Sequence, residues 1–305
     1  MRIIFFGSGQ FCFPIIKKIW DEFDLLGVVV TKPKPRGRGL KISLPEVAQW
    51  AQRVMVKVYH PEDPNIDAFV QEMSQLKPDL FVLSSYGHIL SGSLLSVPRL
   101  GGINVHPSLL PKYRGAAPIQ RTIMAGEEIT GLTIFFMDEK IDHGEIIFQK
   151  ELVIEPHDNS GTLLTRLSNL GVEVITGVLK SIESGNYERV EQNEGQKVYA
   201  PKIRKDEMII NWQNETRKIL NLIRALAPKP AARTTFRGQE LKIIGALPGD
   251  KRVDPGTIHI ENRSIYVGTN DGSLILKEVM PANRSAISGL DFVNGFRVKE
   301  GEVMG

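Results

Sequence analysis

An amide at Asn104, an imidazole at His106 and a carboxylate at Asp142 are the residues of this chain whose types and spacing could do chemistry. If Gly102–Val105 is a strand, alternation puts Asn104 and the following His106 on one face, at its carboxyl end. A donor amide beside an imidazole suits a developing oxyanion. Asp142 lies in Met137-Asp138-Glu139-Lys140-Ile141-Asp142-His143-Gly144, a loop after another expected strand that would reach the same rim of the sheet. A carboxylate there can orient His106 and accept a proton directly or through water. Taken singly, each signal has a plainer reading. Asn-x-His is a strand-end histidine bonded to backbone beside a turn asparagine, and Asp-x-Gly is an ordinary turn. Together they suggest acyl transfer.

The elements that must position these groups follow from the apolar pattern. Ile3–Phe6, Leu25–Thr31, Val54–Tyr59, Asp79–Ser84, Gly102–Val105 and Leu132–Met137 read as extended, Asp79–Ser84 as a strongly apolar strand. Between them, Phe13–Trp20, Leu44–Arg53, Ile66–Leu76 and Ala116–Ala125 read as helices. Strand–helix alternation with apolar strands implies a doubly wound, mostly parallel, Rossmann-like α/β domain. In such a sheet ligands sit at the carboxyl ends of the strands. Beyond a polar stretch at Gly185–Gln196 one helix is expected at Glu215–Leu226. Short strands follow at Arg233–Phe236, Glu240–Ile244, Gly256–His259, Ser264–Gly268 and Ser273–Val279, with a last helix at Gly289–Gly295. Turn signals every eight to twelve residues or so suggest a small OB-like β-barrel. The expected division is 1–188 for the α/β domain, 189–205 for a linker and 206–305 for the barrel.

Composition narrows the class. The 305 residues are 42% hydrophobic and 24% charged, as in a soluble globular protein. No apolar run approaches the roughly 20 residues that cross a bilayer, and Met1–Phe6 reads as a strand rather than a signal peptide. One cysteine, Cys12, excludes a disulfide framework and a cysteine-cluster metal site. A cytoplasmic monomer is expected. The six histidines are scattered, and His60, His88, His157 and His259 show no ligand spacing, so no metal is expected. His157 beside Asp158 reads as a surface pair or a helix start. Residues 201–305 carry 17 Lys and Arg against 12 Asp and Glu, a balance of +5, while 1–200 stand at −2. A basic second domain is compatible with a polyanionic partner.

Two further motifs stand apart. Gly7-Ser8-Gly9-Gln10-Phe11-Cys12 follows the first strand, but Cys12 replaces the third glycine of a dinucleotide fingerprint. Thr31-Lys32 also replaces the acidic ribose ligand, so a tight glycine turn is the better reading. Thr31–Lys41 holds five basic residues, Lys32, Lys34, Arg36, Arg38 and Lys41, and no acidic one. Its prolines and glycines forbid a regular helix, which leaves a loop on the active-site side of the sheet.

The run Asn104-Val105-His106-Pro107-Ser108-Leu109-Leu110-Pro111-Lys112-Tyr113-Arg114-Gly115-Ala116-Ala117-Pro118-Ile119-Gln120 resembles the hallmark of folate-dependent formyltransferases. Met137-Asp138 and Asp142-x-Gly144 resemble the second motif of that family at the expected distance, and the likeness extends over essentially the whole chain. It implies Asn104, His106 and Asp142 as the catalytic set. It implies 10-formyltetrahydrofolate as co-substrate, bordered by Ser108, Leu109, Leu110, Pro111, Asp138 and Gly144. Ser84–Leu90, with Ser85, Tyr86, Gly87 and Ile89, would form another wall. The segments Lys32–Lys41, Tyr199–Ile203 and Ile210-Asn211-Trp212 resemble the branch that acts on initiator methionyl-tRNA. That resemblance implies a tRNA partner in translation initiation, with Lys32, Lys34, Arg36, Arg38 and Lys41 at its acceptor end. An amino sugar-nucleotide acceptor and hydrolysis of the folate are the alternatives within the family. Three departures stand out: Ala227-Pro228-Lys229-Pro230 where Asn-Pro-Trp-Pro is usual, His143 where Thr is common, and Gly7-Ser8-Gly9 for Gly-Thr-Pro.

Overall fold

The computed structural model describes residues 1–32 and 44–305, which fall into two compact units. The first comprises Met1–Pro118, Ile129–Val153 and Leu164–Pro201; the second comprises Ile119–Glu128, Ile154–Leu163 and Lys202–Gly305. No helix among the described residues is long and apolar enough to cross a membrane.

In chain order the first part of the molecule runs β1 (Arg2–Phe6), α1 (Phe13–Glu22), β2 (Asp24–Val29), α2 (Glu46–Arg53), β3 (Val58–Tyr59), α3 (Asp67–Gln75), β4 (Leu80–Leu83), α4 (Gly92–Leu95) and β5 (Gly102–His106). It continues with α5 (Pro118–Ala125), β6 (Ile129–Phe136), β7 (Ile146–Val153) and α6 (Ser160–Ser184). The seven strands form one sheet in the order β3-β2-β1-β4-β5-β6-β7. Ile3 to Phe6 and Leu80 to Val82 are fully buried, because helices cover both faces of a parallel sheet. Pro14 opens α1, where its fixed φ and missing N–H are tolerated, and Ile15, Ile16 and Ile19 form its buried stripe. The strand order reverses between β1 and β4, the place where an open α/β sheet leaves a crevice. There Gly7 must be a glycine, since a Cβ would meet the Ser84 carbonyl, the Phe5 ring and the Cys12 sulfur.

The sheet is mostly parallel, as the strand–helix alternation implies, with three details that the apolar pattern did not give. β6 is antiparallel to β5, with Ile103 opposite Phe136 and His106 opposite Thr133, so the sheet is mixed at this side. The extended run expected at Val54–Tyr59 shrinks to Val58–Tyr59, because Met55 turns the chain at φ +60°. The edge strand β7 and the 25-residue α6 were not anticipated from the apolar pattern; β7 is half-exposed along its length.

The second unit contains α7 (Thr216–Leu226), β8 (Ala232–Phe236), β9 (Gln239–Gly249), β10 (Ile258–Glu261), β11 (Ser264–Gly268), β12 (Ser273–Pro281), β13 (Ile287–Ser288) and α8 (Gly289–Phe296). Ile219, Ile223 and Leu226 recur at helical spacing along α7 and pack among Leu241, Ile243, Leu274 and Phe292. The helix stops at Ala227 because Pro228 forces the residue before it into an extended conformation, ψ 144°. The strands form an antiparallel sheet in the order β10-β11-β12-β9-β8. The chain end closes it: Met304 bridges Phe236 on one edge and Val303 bridges Thr257 at the other. The result is a small β-barrel, as the turn spacing suggests.

Candidate active site

β5 alternates. Ile103 and Val105 are buried toward one face, while Gly102, Asn104 and His106 share the other. Register sets Thr133 of β6 opposite His106 and Phe135 opposite Asn104, so Thr133 stands on the same face. Its hydroxyl donates to Ser108 O at 2.6 Å and accepts from Leu110 N at 3.1 Å and Gln149 Nε2 at 3.0 Å. One buried hydroxyl thus pins the turn that follows β5.

Asp142 does not arrive by the expected route. Because β6 is antiparallel, the loop after it starts at the beginning of β5, where Met137 N donates to Gly102 O at 2.8 Å. From there the loop folds back over the sheet face. Asp138 Oδ1 accepts from Lys140 N at 2.9 Å to make an Asx turn, and Asp142 takes a left-handed φ of +47°. Gly144 permits the return, since a Cβ on it would collide with the Phe136 carbonyl. The Asp-x-Gly pattern is therefore both a turn and the means of delivering the carboxylate.

The three expected groups meet. Asn104 Nδ2 donates to Asp142 Oδ1 at 3.2 Å, and His106 Nδ1 lies 3.6 Å from Asp142 Oδ2. Gly115 N also donates to Asp142 Oδ2, at 2.8 Å. His106 Nε2 is 3.0 Å from the Tyr113 carbonyl. A carbonyl only accepts, so Nε2 carries its hydrogen and donates it there. Nδ1 is then the nitrogen that faces the carboxylate and is open to chemistry. Both sequence readings of this histidine hold at once: it is a backbone-bonded strand-end residue, and it faces Asp142. His106 is 4% exposed, and low local polarity strengthens any charge-assisted contact in such a place.

Sequence reasoning missed the groups that support this trio. Arg114 is 2% exposed, and a buried guanidinium must be paired. Its Nε and Nη2 donate to Gln192 Oε1 at 3.0 and 2.7 Å, and Nη2 also to Glu194 Oε1 at 2.7 Å. Arg114, with help from Lys197, holds the Glu194 carboxyl down at about 2. His143 Nδ1 meets Asp138 Oδ2, and its Nε2 lies 3.5 Å from Glu194 Oε1. The polar stretch expected to lead into a linker therefore supplies side chains to the site. Nothing in its composition marked Gln192 or Glu194, because their partners lie some eighty residues upstream.

The other expected residues lie around and beyond this trio. Ser108 and Leu110 are buried, and the Ser108 hydroxyl donates to Lys112 O at 2.7 Å, so both are spent inside the loop. Leu109 and Pro111 are partly exposed beside them. In the Ser84–Leu90 segment Ser85, Gly87 and Ile89 are exposed, while Leu83 and Leu90 join the core beneath. The Tyr86 hydroxyl is buried with no hydrogen-bond partner among the described residues, and burial followed by the nearby Asp63 charge raises its pKa. Lys32 pairs with Glu62 at 3.2 Å; Lys34, Arg36, Arg38 and Lys41 lie outside the described residues. Lys229 is exposed just after α7. Asp158 is buried, with Oδ1 accepting from Thr162 Oγ1 at 2.9 Å and Oδ2 from Glu155 N at 2.9 Å, so it braces the start of α6.

Comparison with known proteins identifies the family. The family model described as formyl transferase matches residues 1–179, and that of the formyl transferase C-terminal domain matches residues 202–297. A methionyl-tRNA formyltransferase of Dictyoglomus thermophilum is 41% identical over 310 residues, covering 99% of both chains. The methionyl-tRNA formyltransferase of Bacillus subtilis is 37% identical, covering 100% of this chain and 98% of its own. Among solved structures, HypX from Aquifex aeolicus in complex with tetrahydrofolic acid superposes with a TM-score of 0.68 at 17% identity. It matches 99% of this chain, which spans about half of the HypX chain, 48%. That last likeness speaks for the fold alone. The matches that span the chain, together with its own Asn104, His106 and Asp142, lead to one conclusion: it belongs to the formyl transferase family.

Proposed function

We propose that this chain transfers the formyl group of 10-formyltetrahydrofolate to the α-amine of initiator methionyl-tRNA, for translation initiation in the cytoplasm. The observation that carries the reading is the convergence of an amide, an imidazole and a carboxylate on one face of β5. Full-length relatives named for that activity support the choice of acceptor.

In this mechanism the neutral amine attacks the formyl carbon and gives a tetrahedral intermediate. A free α-amine titrates near about 7.7–8.0, so a neutral nucleophile is accessible without strong activation. The second N–H of Asn104 Nδ2 and a proton on His106 Nδ1 hold the oxyanion. With Nε2–H given to the Tyr113 carbonyl, a ring that also carries the Nδ1 proton is an imidazolium, and Asp142 is its counter-ion. Asp142 also takes up the proton that the amine loses. Collapse of the intermediate breaks the bond to the folate nitrogen, which takes up the proton held by Asp142, directly or through water, and leaves as neutral tetrahydrofolate. Exposed Ile89, with partly exposed Leu109 and Pro111, offers an apolar border for a flat pterin, exposed Ser85 and Gly87 offer polar and backbone groups for its edge, and Asp138 and Gly144 border the other side. Residues 1–188 carry the reacting groups, 189–205 connect while lending Gln192 and Glu194 to their support, and 206–305 contribute to holding the RNA.

Removing one oxyanion donor costs about 10²–10³ in rate, so Asn104→Ala and His106→Ala each lower kcat by at least that factor. The decisive assay follows folate product with initiator methionyl-tRNA, elongator methionyl-tRNA, an amino sugar-nucleotide and water as acceptors. Turnover with the initiator tRNA is expected, and a preference for the sugar overturns the assignment. Lys and Arg bound to phosphate make affinity salt-dependent. Neutralising Lys34, Arg36 and Arg38 together raises the KM for tRNA and flattens its salt dependence; an unchanged KM removes that loop from the contact.

A further inference from the structure

Residues 190–200 are stitched to both loops that carry the reacting groups. Val190 and Ile146 exchange main-chain hydrogen bonds at 2.8 and 2.9 Å. Arg114 N donates to Val198 O at 2.9 Å and Arg114 O accepts from Ala200 N at 2.6 Å. Between these ties Gln192 Nε2 donates to Asp142 O at 3.0 Å and to Gly144 O at 2.8 Å. The two amide hydrogens are thereby used on the carbonyls that flank His143. The amide oxygen faces Arg114, accepting from Nε at 3.0 Å and Nη2 at 2.7 Å.

From this arrangement we infer that Gln192 is a positioning residue, holding Asp142 in its reactive orientation while Arg114 dictates which way the amide faces. Turned the other way, the amide oxygen would oppose two carbonyl oxygens and its NH₂ a guanidinium, so only one orientation is chemically allowed. The clamp matters because Asp142 sits at φ +47°, a conformation that aspartate tolerates better than most residues but that still costs free energy relative to the ordinary regions. Gln192 acts on the backbone that carries the Asp142 carboxylate, and Arg114 acts through Gln192. The inference rests on the proposed role of Asp142 and names what keeps it in place.

The test is formyl transfer to initiator methionyl-tRNA by Gln192→Ala, Gln192→Glu and Gln196→Ala, with the first also placed in an Asp142→Asn background. A misplacement on the order of 1 Å can cost about 100-fold, so Gln192→Ala lowers kcat about 10- to 100-fold with both KM values little changed. Gln192→Glu loses at least as much, since a carboxylate cannot donate to the two carbonyls. Gln196→Ala, on the same segment, keeps wild-type kcat. In the Asp142→Asn enzyme the second change costs no more than about two-fold, because both act through one group. Wild-type kcat in folded Gln192→Ala overturns the inference, as does an equal loss in both backgrounds. If Asp142→Asn itself turns over normally, the reading of the site fails and this inference with it. An impaired Asp142→Asn beside a normal Gln192→Ala sinks the inference alone. Should Gln192→Ala not fold, Gln192→Met fills the same volume without donating, and the same outcomes apply.

Discussion

At the residue scale, small groups in demanding positions decide whether the trio can meet. Gly144 is one: its missing Cβ lets the Asp142 loop pass the Phe136 carbonyl. Gly144→Ala must move either the carbonyl or the loop, so kcat falls while the circular-dichroism spectrum and thermal midpoint change little; a normal kcat would show that the loop tolerates the shift. Thr133 is another. Thr133→Val keeps the volume but leaves Leu110 N–H buried without its partner, which costs about 1–3 kcal/mol in a denaturant melt. A loss below about 0.5 kcal/mol would mean that water or a neighbour takes the vacant place. Gln149 Nε2 keeps its second acceptor, Leu110 O at 2.7 Å, so the deficit stays local.

At the element scale, charged pairs join segments far apart in sequence. Arg121 of α5 holds Glu207, in the turn Asp206–Met208, through two bonds of 2.7 and 3.0 Å. Arg121 first, then the Arg204 N–H, lowers the Glu207 pKa from 4.5 to about 2. A depressed carboxylate contributes stability that is present above its unfolded pKa and is lost as pH falls through its folded one. The Arg121–Glu207 contribution is therefore complete above about pH 5 and fades between 4.5 and about 2. Glu207→Gln should lower the urea midpoint at neutral pH, and the gap to wild type should close as pH drops through that window. A gap independent of pH would assign the loss to packing instead. The loop after β6 teaches the same lesson: its start is set by strand direction, and its end by Gln192 on a distant segment.

At the scale of the whole molecule, the second unit draws on three separated stretches of chain, and its barrel is completed by residues 303 and 304. Met304 N donates to Gly256 O at 2.8 Å, and its side chain is 2% exposed within the barrel core. Met304→Ala should cost about 2–5 kcal/mol, read as an earlier melting transition of that unit; a shift within experimental error would mean that the barrel holds without this closure. Much of this architecture is legible in the order of the amino acids. Buried strands announce themselves as continuous apolar runs, α7 by its apolar stripe, and Asn104 and His106 share a face because side chains alternate along every strand. Such features are local, set by backbone periodicity and side-chain type within a few residues. The direction of β6, the half-exposed β7, and the pairing of Arg114 with Gln192 and Glu194 are not legible there. These depend on which segments meet after the chain has crossed itself, and a hydrogen bond between residues eighty apart leaves no period to read. Residue types and their local spacing thus name the groups that do the chemistry. What holds those groups still emerges only in the folded chain, because long-range contacts are satisfied by position rather than by pattern.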